Sequence, residues 1–117
     1  MPRNMSFMLT TQQMYDKTKT HTIRDGWWHV KAGEIVCAVE KCMGLKKGEK
    51  IIRIGLIRIL FTRRDMLENV TPELCVKEGF PDLTPVEFAQ MFCRHNKKAT
   101  PTKTLNFIGF EHVRQQV

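Results

Sequence analysis

No apolar run in the sequence approaches the roughly 20 residues that a membrane span requires, so no membrane-spanning helix is expected. The opening segment, Met1 to Phe7, lacks the apolar stretch of a secretory signal, and a cytoplasmic address is expected. There is no C-x-x-C pair. The cysteines Cys37, Cys42, Cys75 and Cys93 come no closer than C-x4-C, and His21, His29, His95 and His112 are scattered. Structural zinc sites use tightly paired ligands, so no metal and no cofactor is expected. The thiols are expected to stay free, as is usual inside cells. Internal repeats, low-complexity blocks and linkers are also missing. Acid is the scarce charge: 12 Asp and Glu face 19 Lys and Arg, leaving a net +7. Such an excess attracts polyanions, RNA or DNA before a membrane; a merely soluble surface is the plain alternative.

Hydrophobic residues reach 42% and charged residues 26%, a balance that supports a folded core and argues against global disorder. One domain over residues 1–117 is expected, and a monomer. Thr10 to Tyr15 reads as a short threonine-capped helix with Met14 and Tyr15 buried. Threonine and isoleucine from Lys17 to Arg24 favour extended chain, ended by an Asp25-Gly26 turn. Ile35 to Glu40 is an apolar strand following a turn at Lys31 to Glu34, and Gly44 to Lys50 is a basic loop. Ile51 to Thr62 reads as a long strand whose apolar parity changes. Ile52, Ile54 and Leu56 share one face, then Ile57, Ile59 and Phe61 the other, which predicts a bulge beside Gly55.

Two helices follow. Thr71-Pro72-Glu73 supplies a cap, a first-turn proline and an acid at the positive dipole end, and Gly79 stops that helix. Thr84 and Glu87 have capping-box spacing ahead of a Phe88, Met91, Phe92 stripe. Thr104 to Glu111 is a closing strand. Strands so few and short would leave bare edges in an open sheet, so an α+β fold is expected, a small mixed barrel with flanking helices.

The densest polar cluster is Lys19-Thr20-His21-Thr22-Ile23-Arg24-Asp25. On a regular strand Lys19 and Thr22 face opposite ways, and they meet only if the chain bends where it enters the strand. If they meet, a threonine hydroxyl gains the adjacent base it needs as a nucleophile, with Arg24 lowering the lysine pKa. A carboxylate would then protonate a leaving amine. A half-exposed strand with a solvated basic edge is the bland alternative.

This cluster resembles the K-T-x-T-I-R signature of ASCH domains (activating signal cointegrator homology). Lys31-Ala32-Gly33-Glu34-Ile35-Val36 resembles the family's glycine-acid turn into a barrel strand. Glu78-Gly79-Phe80 resembles its element between the helices, and Asn106 to Glu111 its closing strand. The resemblance runs from about Phe7 to Val113 and implies a PUA-like β-barrel. It further implies a nucleic-acid module, usually for RNA, with a basic cleft. A small bacterial subfamily hydrolyses the acetyl amide of acetylcytidine; carried across, Lys19 would be the base, Thr22 the nucleophile and Glu78 the proton donor. Some relatives are described as ribonucleases, but no motif transfers that role. Trp27-Trp28 and the Lys46-Lys47-Gly48-Glu49-Lys50 loop depart from the amidohydrolase pattern.

The leading expectation is an RNA- or ribonucleoside-binding protein. Its contacts would come from Lys17, Lys19, Thr20, Thr22, Arg24, Trp27, Trp28, Lys46, Lys47, Arg63 and Arg64. The amidohydrolase is the rival, and a ribonuclease or protein-interaction module is weaker. One tryptophan is expected in the core; the other is a base-stacking platform or an aromatic lid. Arg24 either contacts ligand or pairs with Asp25 or Glu78. Glu78, at the unfavourable end of a helix dipole, is offset by Lys19 or Arg24, or lies in solvent.

Overall fold

The α3 helix, Pro85–His95, begins where the chain offers a reciprocal cap. Thr84 Oγ1 accepts the Glu87 N–H at 3.2 Å and Glu87 Oε1 accepts the Thr84 N–H at 2.9 Å. Thr84→Ala is expected to lower stability by about 1 kcal/mol, read from urea denaturation midpoints at unchanged slope. The preceding helix α2, Pro72–Lys77, starts with Thr71 Oγ1 accepting the Leu74 N–H at 3.2 Å. It ends in a Schellman motif: Gly79, at φ +97°, donates to Val76 O at 3.0 Å, and Phe80 donates to Cys75 O at 2.9 Å. Gly79 is required there because a side chain at that φ is strained. These bonds hold Glu78 at the helix C-cap.

The computed structural model describes residues 2–114. Its other elements are β1 (Asn4–Ser6), α1 (Thr11–Tyr15), β2 (His21–Arg24), β3 (Ile35–Val39), β4 (Arg53–Asp65) and β5 (Leu105–His112). Short 3-10 turns occupy Met8–Thr10 and Leu67–Asn69. The five strands form one mixed sheet in the order β1-β3-β4-β5-β2, with β1 parallel to β3 and the other pairs antiparallel. The sheet curls into a half-barrel, the small α+β barrel-like architecture expected from the sequence. Its two edge strands approach each other closely enough for Arg24 of β2 to donate to the Ser6 carbonyl of β1 at 2.6 Å.

Two apolar clusters follow from strand alternation. Inside the curl lie Met5, Val36, Ile57, Ile59, Ile108 and Phe110. On the outer face, Ile23, Leu105 and Phe107 pack beneath α2 and α3 through Leu74, Phe88 and Phe92. Among the described residues no helix is long and apolar enough to cross a membrane.

The long strand carries two bulges. Ala38 pairs with Gly55 but Val39 with Arg53, so Ile54 is the extra residue, beside Gly55 as the parity change predicts. Ile59 pairs with Phe110 but Phe61 with Gly109, so Leu60 is a second extra residue. The parity pattern does not predict this second slip, which turns Phe61 away from the Ile57/Ile59 face onto the outside, 39% exposed. Strand β4 also starts and ends later than expected, at Arg53 and Asp65, leaving Ile51 and Ile52 exposed in the loop.

Two local expectations are corrected. Thr10 occupies the cap of α1 without a side-chain bond, while Thr11 donates back to Phe7 O at 2.9 Å. Met14 is buried but Tyr15 is exposed and donates to Glu40 Oε2 at 2.7 Å. Neighbouring residues point about 100° apart on a helix, and a single-turn helix offers one face to the core. Trp27 and Trp28 lie in a turn, with Trp27 at φ +58°. Trp27 packs against the inner cluster and Trp28 is exposed.

Candidate ligand cavity

Strand β2 begins at His21, so Lys19 precedes it and escapes its alternation. The approach is pinned on both sides: the Thr20 N–H donates to Lys77 O at 2.9 Å, and Thr20 O accepts the Phe110 N–H at 2.9 Å. Lys19 and Thr22 flank this pinned step. Both are 3% exposed, and both line one cavity of ≈ 480 Å³.

Lys19 Nζ donates to the Glu78 carbonyl at 2.6 Å and to Glu78 Oε1 at 3.4 Å. An ammonium at a helix C-terminus offsets both the dipole and the acid placed there. Glu78 is equally buried, and its second oxygen, Oε2, has no hydrogen-bond partner among the described residues. Thr22 Oγ1 accepts from Arg24 Nε at 3.0 Å. The same guanidinium reaches Ser6 O and stacks 4.7 Å from the Phe7 ring centroid. Arg24 therefore closes the gap between the sheet edges and also presents a cation to the Thr22 oxygen.

Burial dominates the protonation of these groups. It lowers Lys19 from its ordinary 10.5, with Arg24 adding to the effect and Glu78 opposing it. It raises Glu78 from its ordinary 4.5 against the pull of Lys19 and Arg24. Desolvation also lowers Arg24 to about 10, opposed by Glu78, which still leaves a cation at neutral pH. The Lys19–Glu78 pair is thus pushed toward a neutral amine and a protonated acid.

The walls above this polar floor are aromatic: Phe7, Trp27, Phe80, Phe88 and Phe92. Exposed Met8, Leu9 and Met43 form the rim. The charges on the lining are mixed, Lys19 and Arg24 against Asp25 and Glu78. Asp25 pairs with Lys103 at 2.8 Å.

Of the residues expected to contact ligand or act in catalysis, the cavity gathers Lys19, Thr22, Arg24, Trp27 and Glu78. The others lie outside it. Lys46 and Lys47 sit on the exposed loop before β4, and Lys17 lines a separate hollow with His112. The Thr20 hydroxyl is bonded to His21 Nδ1 at 3.0 Å. Arg63 pairs with Asp65. Arg64 donates to Asn106 Oδ1 at 2.8 Å and to Trp28 O at 3.0 Å, stacking 4.8 Å from the Trp28 ring centroid. Sequence reasoning missed Ser6 and Phe7 and read Phe88 and Phe92 only as core. A buried stripe and a cavity wall have the same apolar signature, so nothing local separates them.

No family model matches the chain, and no curated protein matches it. Solved structures do. A protein of family DUF984 from Enterococcus faecalis V583 superposes over 100% of this chain and 86% of its own, with TM-score 0.66 and 18% identity. An ASCH domain from Lactobacillus crispatus JV V101 matches 89% of this chain and 70% of its own, with TM-score 0.61 and 14% identity. The curled mixed sheet with helices over its outer face defines a small barrel-like α+β domain. Its fold is ASCH-like.

Proposed function

We propose that the cavity receives one nucleobase, presented as a free ribonucleoside or splayed from an RNA strand, in a protein that works as a cytoplasmic monomer. The single observation that carries this reading is an aromatic-walled cavity of ≈ 480 Å³ over a floor of Lys19, Thr22, Arg24 and Glu78. Rings offer stacking surface to a planar base, and the polar groups meet its edge. The mixed charge of the lining suits a neutral base better than a run of phosphates. In a Trp28→Phe background Trp27 is the sole tryptophan, so its fluorescence reports the cavity. Cytidine or acetylcytidine should quench it saturably, and Phe80→Ala should weaken binding about tenfold. A signal that stays flat with every nucleoside would refute the reading.

A second reading, hydrolysis of the acetyl amide of acetylcytidine, draws on the buried Lys19–Glu78 pair, which lines the same cavity as Thr22. The Thr22 hydroxyl attacks the acetyl carbonyl as its proton passes to the Lys19 amine. The tetrahedral intermediate collapses, the amide C–N bond breaks, and Glu78 protonates the departing cytidine amine. Water then cleaves the acetyl ester on Thr22, releasing acetate. Arg24, hydrogen-bonded to Oγ1, stabilises the oxygen while it carries charge.

A further inference from the structure

The outer sheet face carries a feature separate from the cavity. His21, Gly109 and Phe61 form one row across three strands, Gly109 pairing with His21 on one side and Phe61 on the other. A Cβ on Gly109 would lie 2.1 Å from Phe61 Cε2, so only glycine lets the phenyl ring settle across the β5 backbone. The His21 ring meets that phenyl edge-on, with centroids 5.4 Å apart. The Thr20 hydroxyl holds the imidazole at Nδ1.

The neighbouring row of this face, Ile23 and Phe107, is buried under α2 and α3. In the His21–Phe61 row Phe61 is 39% exposed and His21 is half-buried. The charged groups that act on His21 are all cations, Lys77, Arg63 and Lys19, and after burial they lower its pKa below the ordinary 6.5. Burial and these cations therefore favour the neutral imidazole. Lys77 stands in the last turn of α2, and Arg63, besides pairing with Asp65, lies 4.7 Å from the Phe107 ring centroid. A ring that merely covered Gly109 would need no such surroundings. Partly exposed aromatic rings flanked by cations are the chemistry that holds unpaired bases and their phosphates.

We infer that the His21–Phe61 row is a stacking platform for an unpaired base of single-stranded nucleic acid, with Arg63 and Lys77 meeting the adjoining phosphates. This surface stands apart from the cavity and does not require the cavity to take a nucleoside. The test is fluorescence anisotropy with a labelled short oligouridine at several salt concentrations. Phe61→Leu, which keeps an apolar cover on Gly109, should weaken binding about tenfold, and Phe61→Tyr should restore it. Lys77→Gln should reduce the salt slope by about 0.7. Phe61→Leu should leave the cytidine response of Trp27 unchanged. Equal affinity of wild type and Phe61→Leu would overturn the inference, as would absence of oligouridine binding. A loss of oligouridine binding seen only in Phe80→Ala would assign the strand to the cavity and overturn it as well.

Discussion

Glu78→Ala is expected to remove about 3–5 kcal/mol of folding stability, measured by urea denaturation at pH 7. The substitution takes away the carboxylate bonded to a Lys19 that is 3% exposed, leaving its Nζ with the residue-78 carbonyl. Replacing both partners should behave differently. Lys19→Met/Glu78→Leu fills the same space without charge and should lie within about 1 kcal/mol of wild type, or above it.

The direction of the pKa shifts supports this. A carboxyl raised by burial favours the protonated form on folding, so it loses stability as pH rises from its ordinary 4.5 through its folded value. An amine lowered by burial favours the neutral form on folding, so it loses stability as pH falls from its ordinary 10.5 through its folded value. Burial therefore works against both charges at neutral pH, and their mutual attraction offsets part of that penalty. The apolar double variant should lack both pH dependences. A Glu78→Ala protein as stable as wild type would mean that the pair is not buried as described.

Acetylcytidine turnover is expected to disappear in Thr22→Val and to fall by about 10²–10⁴ in Lys19→Ala, followed by the release of cytidine. Valine keeps the shape of Thr22 and removes the hydroxyl, so nucleoside binding at Trp27 should survive. Lys19 accepts a proton only when neutral, so the rate should rise with pH through its lowered pKa. Glu78 donates only when protonated, so the rate should fall as pH rises through its raised pKa. The result is a bell whose limbs belong to the coupled pair. Glu78→Gln keeps the side-chain shape and cannot donate that proton, so it should flatten the alkaline limb at a much lower rate. Trapping an acetyl group on Thr22 by mass spectrometry would identify the nucleophile directly. Wild-type protein that binds acetylcytidine and releases no cytidine would leave the cavity a binding site and reject the hydrolytic roles.

Features written in short-range spacing are legible in the amino-acid order itself. The Thr84/Glu87 box, the Thr71 cap and the Gly79 stop each involve residues a few positions apart, and each is present as a specific hydrogen bond or a left-handed φ. The bulge beside Gly55 is visible because apolar parity changes within one strand. The Leu60 bulge has no such marker. It accompanies a partner strand that presents Gly109 to Phe61, 48 positions along the chain (109 − 61 = 48).

The same division holds for the cavity. Composition and local pattern determined a small basic α+β domain and marked the Lys19–Arg24 cluster, because charge, capping and alternation are properties of neighbouring residues; the ASCH resemblance added Glu78. Tertiary structure decided that Lys19 turns out of the strand register to reach Glu78, and that Arg24 joins two sheet edges while holding Thr22. It also decided that most of the remaining cations fall outside the cavity. Those outcomes depend on how a curled sheet brings distant segments together, Lys19 with Glu78 across 59 positions and Arg24 with Ser6 across 18. Burial, which sets the protonation of the pair, exists only once that closure is made.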